Sequence, residues 1–324
     1  MRDRTLATAL LPALAVLAAS HAGAQQRTAA DPLVPADTIV QVGAHTWVIP
    51  DRDVGLVPNV GIVVGTSATL VIDPGLGRRN GETVLRQVRR LSPGNAIYVA
   101  STHFHTEHTT GFLAFPEEAR YVGSTIQLEE FRQGGAQQIR SFSGRSPLTA
   151  ELLRDATVFE ADITFDREHR LDLGAVRVRL VVVGPTHTRG DTGFLIEEDG
   201  VLFTGDVVMN QSFLAARAES SMRAWLRAFD IFEAMRPRVI VPAHGKIGDG
   251  SLIAANRAVM TTIDTRVRAL KAGGMSLEDI VRTVQTELQA RHPGWPRANG
   301  IPAAVRTAYA ESSGTTGGGG DAGP

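Results

Sequence analysis

The segment Thr102-His103-Phe104-His105-Thr106-Glu107-His108 holds three histidines and a glutamate within six residues, and no other part of the sequence says more about the fold. Imidazole nitrogens and carboxylate oxygens bind the same transition metals, so one loop of this kind can surround an ion on several sides. Single groups elsewhere in the chain, at His187, Asp206 and His244, could supply the ligands that the loop cannot reach. The sequence therefore predicts a metalloenzyme.

The spacing within this loop indicates two neighbouring metal positions. In an extended segment His103 and His105 point the same way, so both can bind one ion. Glu107 and His108 fall beyond the turn and face a second position. His187 could complete a first position made of three histidines.

The second position could be completed by His244, and Asp206 could bridge the two. Two ions side by side would polarise a carbonyl and lower the pKa of a shared water. We therefore predict that Asp206 and Glu107 have catalytic roles in addition to binding metal. His45, His169 and His292 have no such partners in the pattern, and we assign them no site.

Strand-like runs alternate with helical ones along the chain. Short apolar or alternating runs predict strands at 38–42, 46–49, 60–64, 69–72 and 97–100, and again at 176–183, 193–196, 201–204 and 239–241. Helical spacing predicts helices at 80–91, 221–235, 252–271 and 277–288, the last with Ser276 as its N-cap. Each candidate ligand follows the C-terminal end of a predicted strand, where open sheets place their ligand sites.

Two segments are harder to interpret. The stretch 133–156, with Gly134 and Gly135, is too irregular for a core element and is either a border or lid of the active site or a surface insertion. Leu56-Val57-Pro58 is either an apolar flap over the site or a turn at the rim of the core.

Composition narrows the classes of partner. The 33 basic and 34 acidic residues give a formal net charge of -1, so no basic field attracts nucleic acid, and a small-molecule substrate fits better. The chain has no cysteine, which excludes thiolate ligands and a cysteine nucleophile. Any metal must be held by nitrogen and oxygen. The sequence leaves the oligomeric state open.

The N-terminal residues 1–24 have the pattern of a cleaved signal peptide. Arg2 and Arg4 precede a short apolar stretch, and Ala22-Gly23-Ala24 offers small residues for cleavage. We expect a periplasmic or secreted protein without a membrane partner after cleavage, with a single catalytic domain over 25–311. The Gly-rich segment 312–324 is expected to be a disordered tail.

The order of the candidate ligands resembles the metallo-β-lactamase superfamily: Asp73 after an early strand, the 103–108 loop, His187, Asp206 and His244. The resemblance covers most of the chain after residue 24. It implies an α+β fold, a four-layered αβ/βα sandwich with the metal site at one edge between two sheets. It also implies metal-ligand roles for the histidines and Asp206, and a loop-supporting role for Asp73.

Glu107 departs from the family pattern, which usually has aspartate there. Its extra methylene adds about 1.5 Å of reach, so the second metal position could shift or weaken. The residues and the resemblance together predict an exported, zinc-dependent hydrolase, with two zinc ions, that cleaves a β-lactam, lactone, ester or thioester. The alternatives are a mononuclear iron oxygenase of the same fold and a binding protein without catalysis, which the nearly complete ligand set disfavours.

Overall fold

The computed structural model describes residues 31–35 and 37–312. The predicted signal peptide lies outside the described residues, and so does the predicted tail except for Ser312, which ends a helix. Within the described ranges, no helix is long and apolar enough to cross a membrane.

Two mixed sheets form the centre of the molecule. The first runs in chain order through seven strands: β1 (Val40–Gln41), β2 (Thr46–Ile49), β3 (Val60–Val64), β4 (Ala68–Ile72), β5 (Ala96–Ala100), β6 (Arg120–Ser124) and β7 (Ile163–Phe165). The second has five strands: β8 (Glu168–Asp172), β9 (Arg177–Val182), β10 (Thr192–Ile196), β11 (Val201–Gly205) and β12 (Val239–Pro242). Strands β4 to β7 are parallel, as are β11 and β12, and the other neighbours are antiparallel.

Eight α-helices flank the sheets within the described residues. They are α1 (Gly77–Leu91), α2 (Thr106–Thr109), α3 (Thr125–Ser143), α4 (Pro147–Leu152), α5 (Met222–Ala234), α6 (Ser251–Ala272), α7 (Leu277–Arg291) and α8 (Ile301–Ser312). The predicted cap is observed at α7, because the Ser276 side chain accepts a hydrogen bond from the first turn. Ser221 caps α5 in the same way.

The apolar residues form separate cores on the two sides of each sheet. Leu70 of the first sheet and Phe194 and Phe203 of the second belong to the core between the sheets. On the outer face of the first sheet, Val84 of α1 belongs to another core, and Trp225 of α5 lies in a core on the outer face of the second sheet. The order helix, sheet, sheet, helix is the predicted four-layered αβ/βα sandwich.

The expectation that residues 133–156 are too irregular for a core element was wrong, because this segment is mostly helical. Gly134 and Gly135 lie inside α3, and α4 follows after a short turn. A Cβ on Gly135 would lie 2.6 Å from the Phe131 ring and 3.0 Å from Val158, so this glycine permits close packing of the helix and does not mark a loop. The segment does border the site, since Gln138 Oε1 accepts hydrogen bonds from the backbone and hydroxyl of Thr106.

The predicted strands differ from the observed ones mainly at their ends. The first predicted strand, 38–42, is reduced to the two residues of β1, and α1 begins three residues earlier than the pattern indicated. The placement of the ligands after strands is confirmed. Asp73 follows β4, the histidine loop follows β5, and the loops after β9, β11 and β12 carry His187, Asp206 and His244.

A glycine contact fixes the distance between α1 and the histidine loop. A Cβ on Gly81 would lie 1.9 Å from the carbonyl oxygen of Gly111, which the loop reaches just after α2. In an exposed helix, replacing glycine by alanine stabilises by about 0.5–1 kcal/mol. We predict the opposite sign for Gly81→Ala, a loss of about 1–3 kcal/mol from overpacking, measured by urea unfolding.

Gly250→Ala is the matched control for this substitution. Gly250 caps α6, and a Cβ there would meet nothing within 4 Å. Its free energy of unfolding should change by less than about 0.5 kcal/mol. A Gly81→Ala variant as stable as the parent would show that the helix is free to move away from the loop.

Candidate metal centre

Asp73 supports the histidine loop at its start. Its Oδ1 accepts a hydrogen bond from Thr102 N at 2.7 Å, and its Oδ2 accepts one from Thr102 Oγ1 at 2.9 Å. The same Oδ2 lies 3.0 Å from His108 Nδ1. One buried carboxylate therefore holds both ends of the loop, which is the supporting role that the resemblance implied.

Three ring nitrogens converge at the first predicted position. His103 Nε2 lies 2.9 Å from His105 Nδ1, and His187 Nε2 lies 3.2 Å from the same atom. All three side chains are buried. Imidazole nitrogens 2.0–2.1 Å from a tetrahedral zinc ion would be about 3.3–3.4 Å apart, so the observed separations are close to those of a metal site.

The hydrogen bonds of the outer ring nitrogens decide where the lone pairs point. His187 Nδ1 lies 2.7 Å from the carbonyl oxygen of Ala215, and His244 Nδ1 lies 2.9 Å from that of Val57. A carbonyl can only accept, so each Nδ1 must carry the proton and each Nε2 presents a lone pair to the cluster. His103 Nδ1 is likewise 3.1 Å from Thr102 Oγ1, whose own proton goes to Asp73.

The second predicted position is formed by two side chains of α2 and one from the loop after β12. Glu107, His108 and His244 offer ligand atoms that all lie within 4.8 Å of one another. Glu107 Oε2 and His108 Nε2 are buried and have no hydrogen-bond partner among the described residues. The longer side chain of Glu107 thus still reaches this group, and the unpartnered polar atoms fit a metal ion.

Asp206 lies between the two groups. Its Oδ2 is 3.5 Å from His187 Nε2, and its Oδ1 is 3.8 Å from His244 Nε2. Oδ1 is also buried without a hydrogen-bond partner. With one oxygen beside each group, Asp206 is placed where a carboxylate could bridge two metal ions. All seven predicted ligands are therefore brought together. Among the described residues, His45, His169 and His292 belong to no group of side chains that could hold a metal ion.

Burial and charge act differently on the histidines. Burial lowers the pKa of His103 and His105 well below the usual value, and neighbouring histidines add to this effect. Burial also lowers the pKa of His187 and of His244 to about 4 in each case, against an opposing effect of Asp206. These four imidazoles are neutral at pH 7, which is the form that binds metal.

His108 behaves in the opposite way. Burial lowers its pKa, but the charge and hydrogen bond of Asp73, followed by the charge of Glu107, outweigh burial and raise the pKa to about 9. A metal that binds His108 must therefore displace a proton. Burial raises the pKa of Glu107, partly offset by His108.

The segment 56–58 is a buried turn that orients a histidine. Val57 and Pro58 are buried, and the carbonyl of Val57 accepts from His244. Asn59 Nδ2 donates to the carbonyls of Pro242 and Gly245, which fastens this turn to the strand end that carries His244. Of the two interpretations of the segment, the turn at the rim of the core is observed.

Sequence reasoning missed the side chains that hold the loops. Glu130 of α3 accepts hydrogen bonds from the backbone of Arg189 and Gly190, beside His187. Asp191 accepts from the hydroxyls of Thr186 and Thr188 in the same loop. The contacts of Glu130 depend on the packing of α3 against this loop, which no sequence pattern shows. The Asp191 contacts lie within the loop itself, three to five residues away in sequence.

The chain matches a known family over the part that contains these ligands. Residues 53–244, more than half of the chain, match the sequence profile of the metallo-beta-lactamase superfamily. The chain belongs to the metallo-β-lactamase superfamily. The first and last candidate ligands in chain order, His103 and His244, both lie within the matched residues. Membership, the fold and the buried histidine group together support a metal-binding hydrolase.

Relatives with named activities are similar over part of their length. An atrochrysone carboxyl ACP thioesterase of Aspergillus terreus is 26% identical over 186 residues, which are 57% of this superfamily member and 48% of the relative. A protein of the same name from Aspergillus fumigatus is 24% identical over 229 residues, 69% and 61% of the two chains. The chain thus spans less than two thirds of each relative.

Solved structures of the superfamily share the fold. A metallo-beta-lactamase from Pontibacter korlensis superposes with a TM-score of 0.57 at 18% identity, over 69% of this chain and 98% of its own. A double mutant of the sec-alkyl sulfatase PisA1 superposes with a TM-score of 0.64 at 15% identity, over 91% of this chain and 55% of its own. At such identities the likeness shows the fold alone.

Asp73→Asn tests whether loop support controls metal binding. The substitution keeps the shape but removes the charge beside His108 and one acceptor for Thr102. We expect the affinity for metal, measured by competition with a chromophoric chelator, to fall about 10–100-fold while the far-ultraviolet circular dichroism is unchanged. An Asp155→Asn variant on the exposed surface serves as control. Parent-like affinity of Asp73→Asn would contradict the role given to this carboxylate.

Proposed function

We propose that this superfamily member is a zinc-dependent hydrolase that cleaves an acyl bond in a small molecule. The observation that carries the proposal is the convergence of three neutral ring nitrogens, of His103, His105 and His187, at separations close to those of zinc ligands. Three imidazoles without a thiolate suit zinc, and a catalytic zinc site leaves one position open.

A second zinc ion is proposed beside the first. Glu107, His108 and His244 would hold it, and Asp206 would bridge the pair. When bound, the ions would polarise the scissile carbonyl and lower the pKa of the attacking water. Glu107 Oε2 can accept a hydrogen bond from that water and so orient it.

The substrate would lie in the open pocket beside the second metal position. This pocket has a volume of about 220 Å³, and its lining includes His244, Asn210 and Arg297. Its volume suits a small acyl group. The thioester is the first bond to test because relatives carry the name thioesterase. Lactones, β-lactams and oxygen esters complete the set.

Export is proposed on the sequence pattern alone. Arg2, Arg4, the apolar stretch and Ala22-Gly23-Ala24 would direct the chain to the periplasm or outside the cell. N-terminal sequencing of protein recovered from the periplasm of a bacterial host should begin at Gln25. An intact Met1 in cytoplasmic protein would contradict the proposal.

His105→Ala tests the first metal position. Because His105 Nδ1 is within hydrogen-bonding distance of both His103 and His187, its loss opens the three-nitrogen group. We expect most bound zinc and all hydrolysis of a reporter thioester to be lost, as measured by elemental analysis and product absorbance. His169→Ala, which removes a histidine stacked on Phe165, should keep both.

Two results would contradict the proposal. A His105→Ala variant with full zinc and activity would show that the three nitrogens are not the site. Parent protein that holds one iron and consumes oxygen would instead support the oxygenase, and parent that retains no metal would support a binding protein.

Glu107→Gln and Glu107→Asp separate charge from reach at the second position. The glutamine keeps the shape and removes the charge, so the affinity for the second zinc should fall on the order of tenfold or more and turnover should slow. The aspartate shortens the reach by about 1.5 Å. The first zinc should remain in both variants. If both variants titrate zinc and hydrolyse like the parent, Glu107 is not a ligand.

A further inference from the structure

The loop between α7 and α8 reaches the metal centre from outside the matched residues 53–244. It contains Pro296 and Arg297, and it packs against the segment that orients His187. Phe213 N donates a hydrogen bond to Pro296 O at 3.2 Å. A Cβ on Gly300 would lie 3.0 Å from Leu214 O, so this end of the loop also lies close to that segment. The loop between α7 and α8 is therefore held in place beside the metal centre.

Arg297 is the residue that this loop brings to the cluster. Its Nη1 donates a hydrogen bond to Asp206 Oδ2 at 3.0 Å, across 91 residues of sequence. The Asp206 side chain is nearly fully buried, while that of Arg297 is about one-third exposed at the pocket. The backbone of Arg297 has a φ of 63°, in the left-handed region that arginine seldom adopts. Arg297 thus has this left-handed backbone conformation at the point where its side chain contacts Asp206.

The two oxygens of Asp206 have different surroundings. Oδ2 is held by Arg297, whereas Oδ1 is buried without a hydrogen-bond partner and faces His244. A carboxylate rotates as one plane, so fixing one oxygen fixes the direction of the other. A hydrogen bond between two charged groups is about twice as strong as one between neutral groups.

We propose that Arg297 is a positioning residue for Asp206, which it holds with Oδ2 beside His187 and with Oδ1 facing the second metal position beside His244. The inference rests on the proposed function, because it assigns the role of Asp206 as a bridging ligand to one orientation of its carboxylate. Ligating carboxylates are commonly fixed by hydrogen bonds of this kind. The C-terminal helices then contribute to the metal centre and do not serve only to cover the second sheet.

The guanidinium has two opposite effects on metal binding. It orients Asp206, which favours binding, and its positive charge repels a nearby cation, which disfavours binding. The guanidinium is partly exposed, so solvent screens its charge. The orienting hydrogen bond, by contrast, acts on a buried oxygen. The proposal therefore predicts that losing Arg297 weakens metal binding.

Arg297→Met and Arg297→Lys test this prediction. Methionine removes both the donor and the charge, and the affinity for the more weakly held metal should fall about 10–100-fold in a chelator competition. Lysine keeps a charged donor of similar length and should restore most of the affinity. In the cobalt-substituted protein, the visible absorption of the methionine variant should differ from that of the parent, because the ligand field at Asp206 changes.

Arg227→Met is the matched control, since Arg227 is an exposed arginine on α5. It should bind metal like the parent, and the far-ultraviolet circular dichroism of both metal-free methionine variants should show that they remain folded. If the parent binds zinc and hydrolyses its substrate, and Arg297→Met binds metal as tightly as the parent or more tightly, this inference alone is overturned. A parent that binds no metal would overturn the proposed function together with it.

Discussion

The structure depends on a cluster of buried imidazoles whose lone pairs face one another. The Nδ1 atoms of His187 and His244 donate to the carbonyl oxygens of Ala215 and Val57, so the Nε2 atoms of these two rings can only accept. His103 Nε2 and His105 Nδ1 are 2.9 Å apart. Beside them, Glu107 Oε2 and Asp206 Oδ1 are buried and have no hydrogen-bond partner among the described residues. A bound metal ion would satisfy these atoms, and the surrounding loops hold them in place.

The two sheets provide the frame for this cluster. Five strands end at one edge of the sandwich, and the loop after each carries either a ligand or, at Asp73, the support for one. Elements packed on the sheets then secure the loops. Glu130 of α3 holds the backbone beside His187, and the contact between Gly81 and Gly111 sets α1 against the histidine loop. Arg297 connects the C-terminal helices to the same centre. The site is therefore built by all four layers.

The sequence predicted the features that depend on local pattern. The spacing of His103, His105, Glu107 and His108 within one loop indicated two groups. Both of these groups are observed, and a third group of His103, His108 and Asp206 overlaps them. The helical content of 133–156 was missed because Gly134 and Gly135 suggest a turn, whereas Gly135 permits tertiary packing against Phe131. The contact of Arg297 with Asp206 joins residues far apart in sequence and is part of no recognisable pattern. Such contacts depend on how helices pack, which no local spacing encodes.

Anomalous diffraction from crystals of the purified protein, measured above and below the zinc absorption edge, would locate the metal ions directly. We expect two neighbouring peaks. One should lie about 2.0–2.1 Å from His103 Nε2, His105 Nδ1 and His187 Nε2, and the other beside Glu107, His108 and His244, with Asp206 between them. Diffraction from zinc-replete crystals with no peak in contact with the three imidazoles would show that His103, His105 and His187 do not bind zinc.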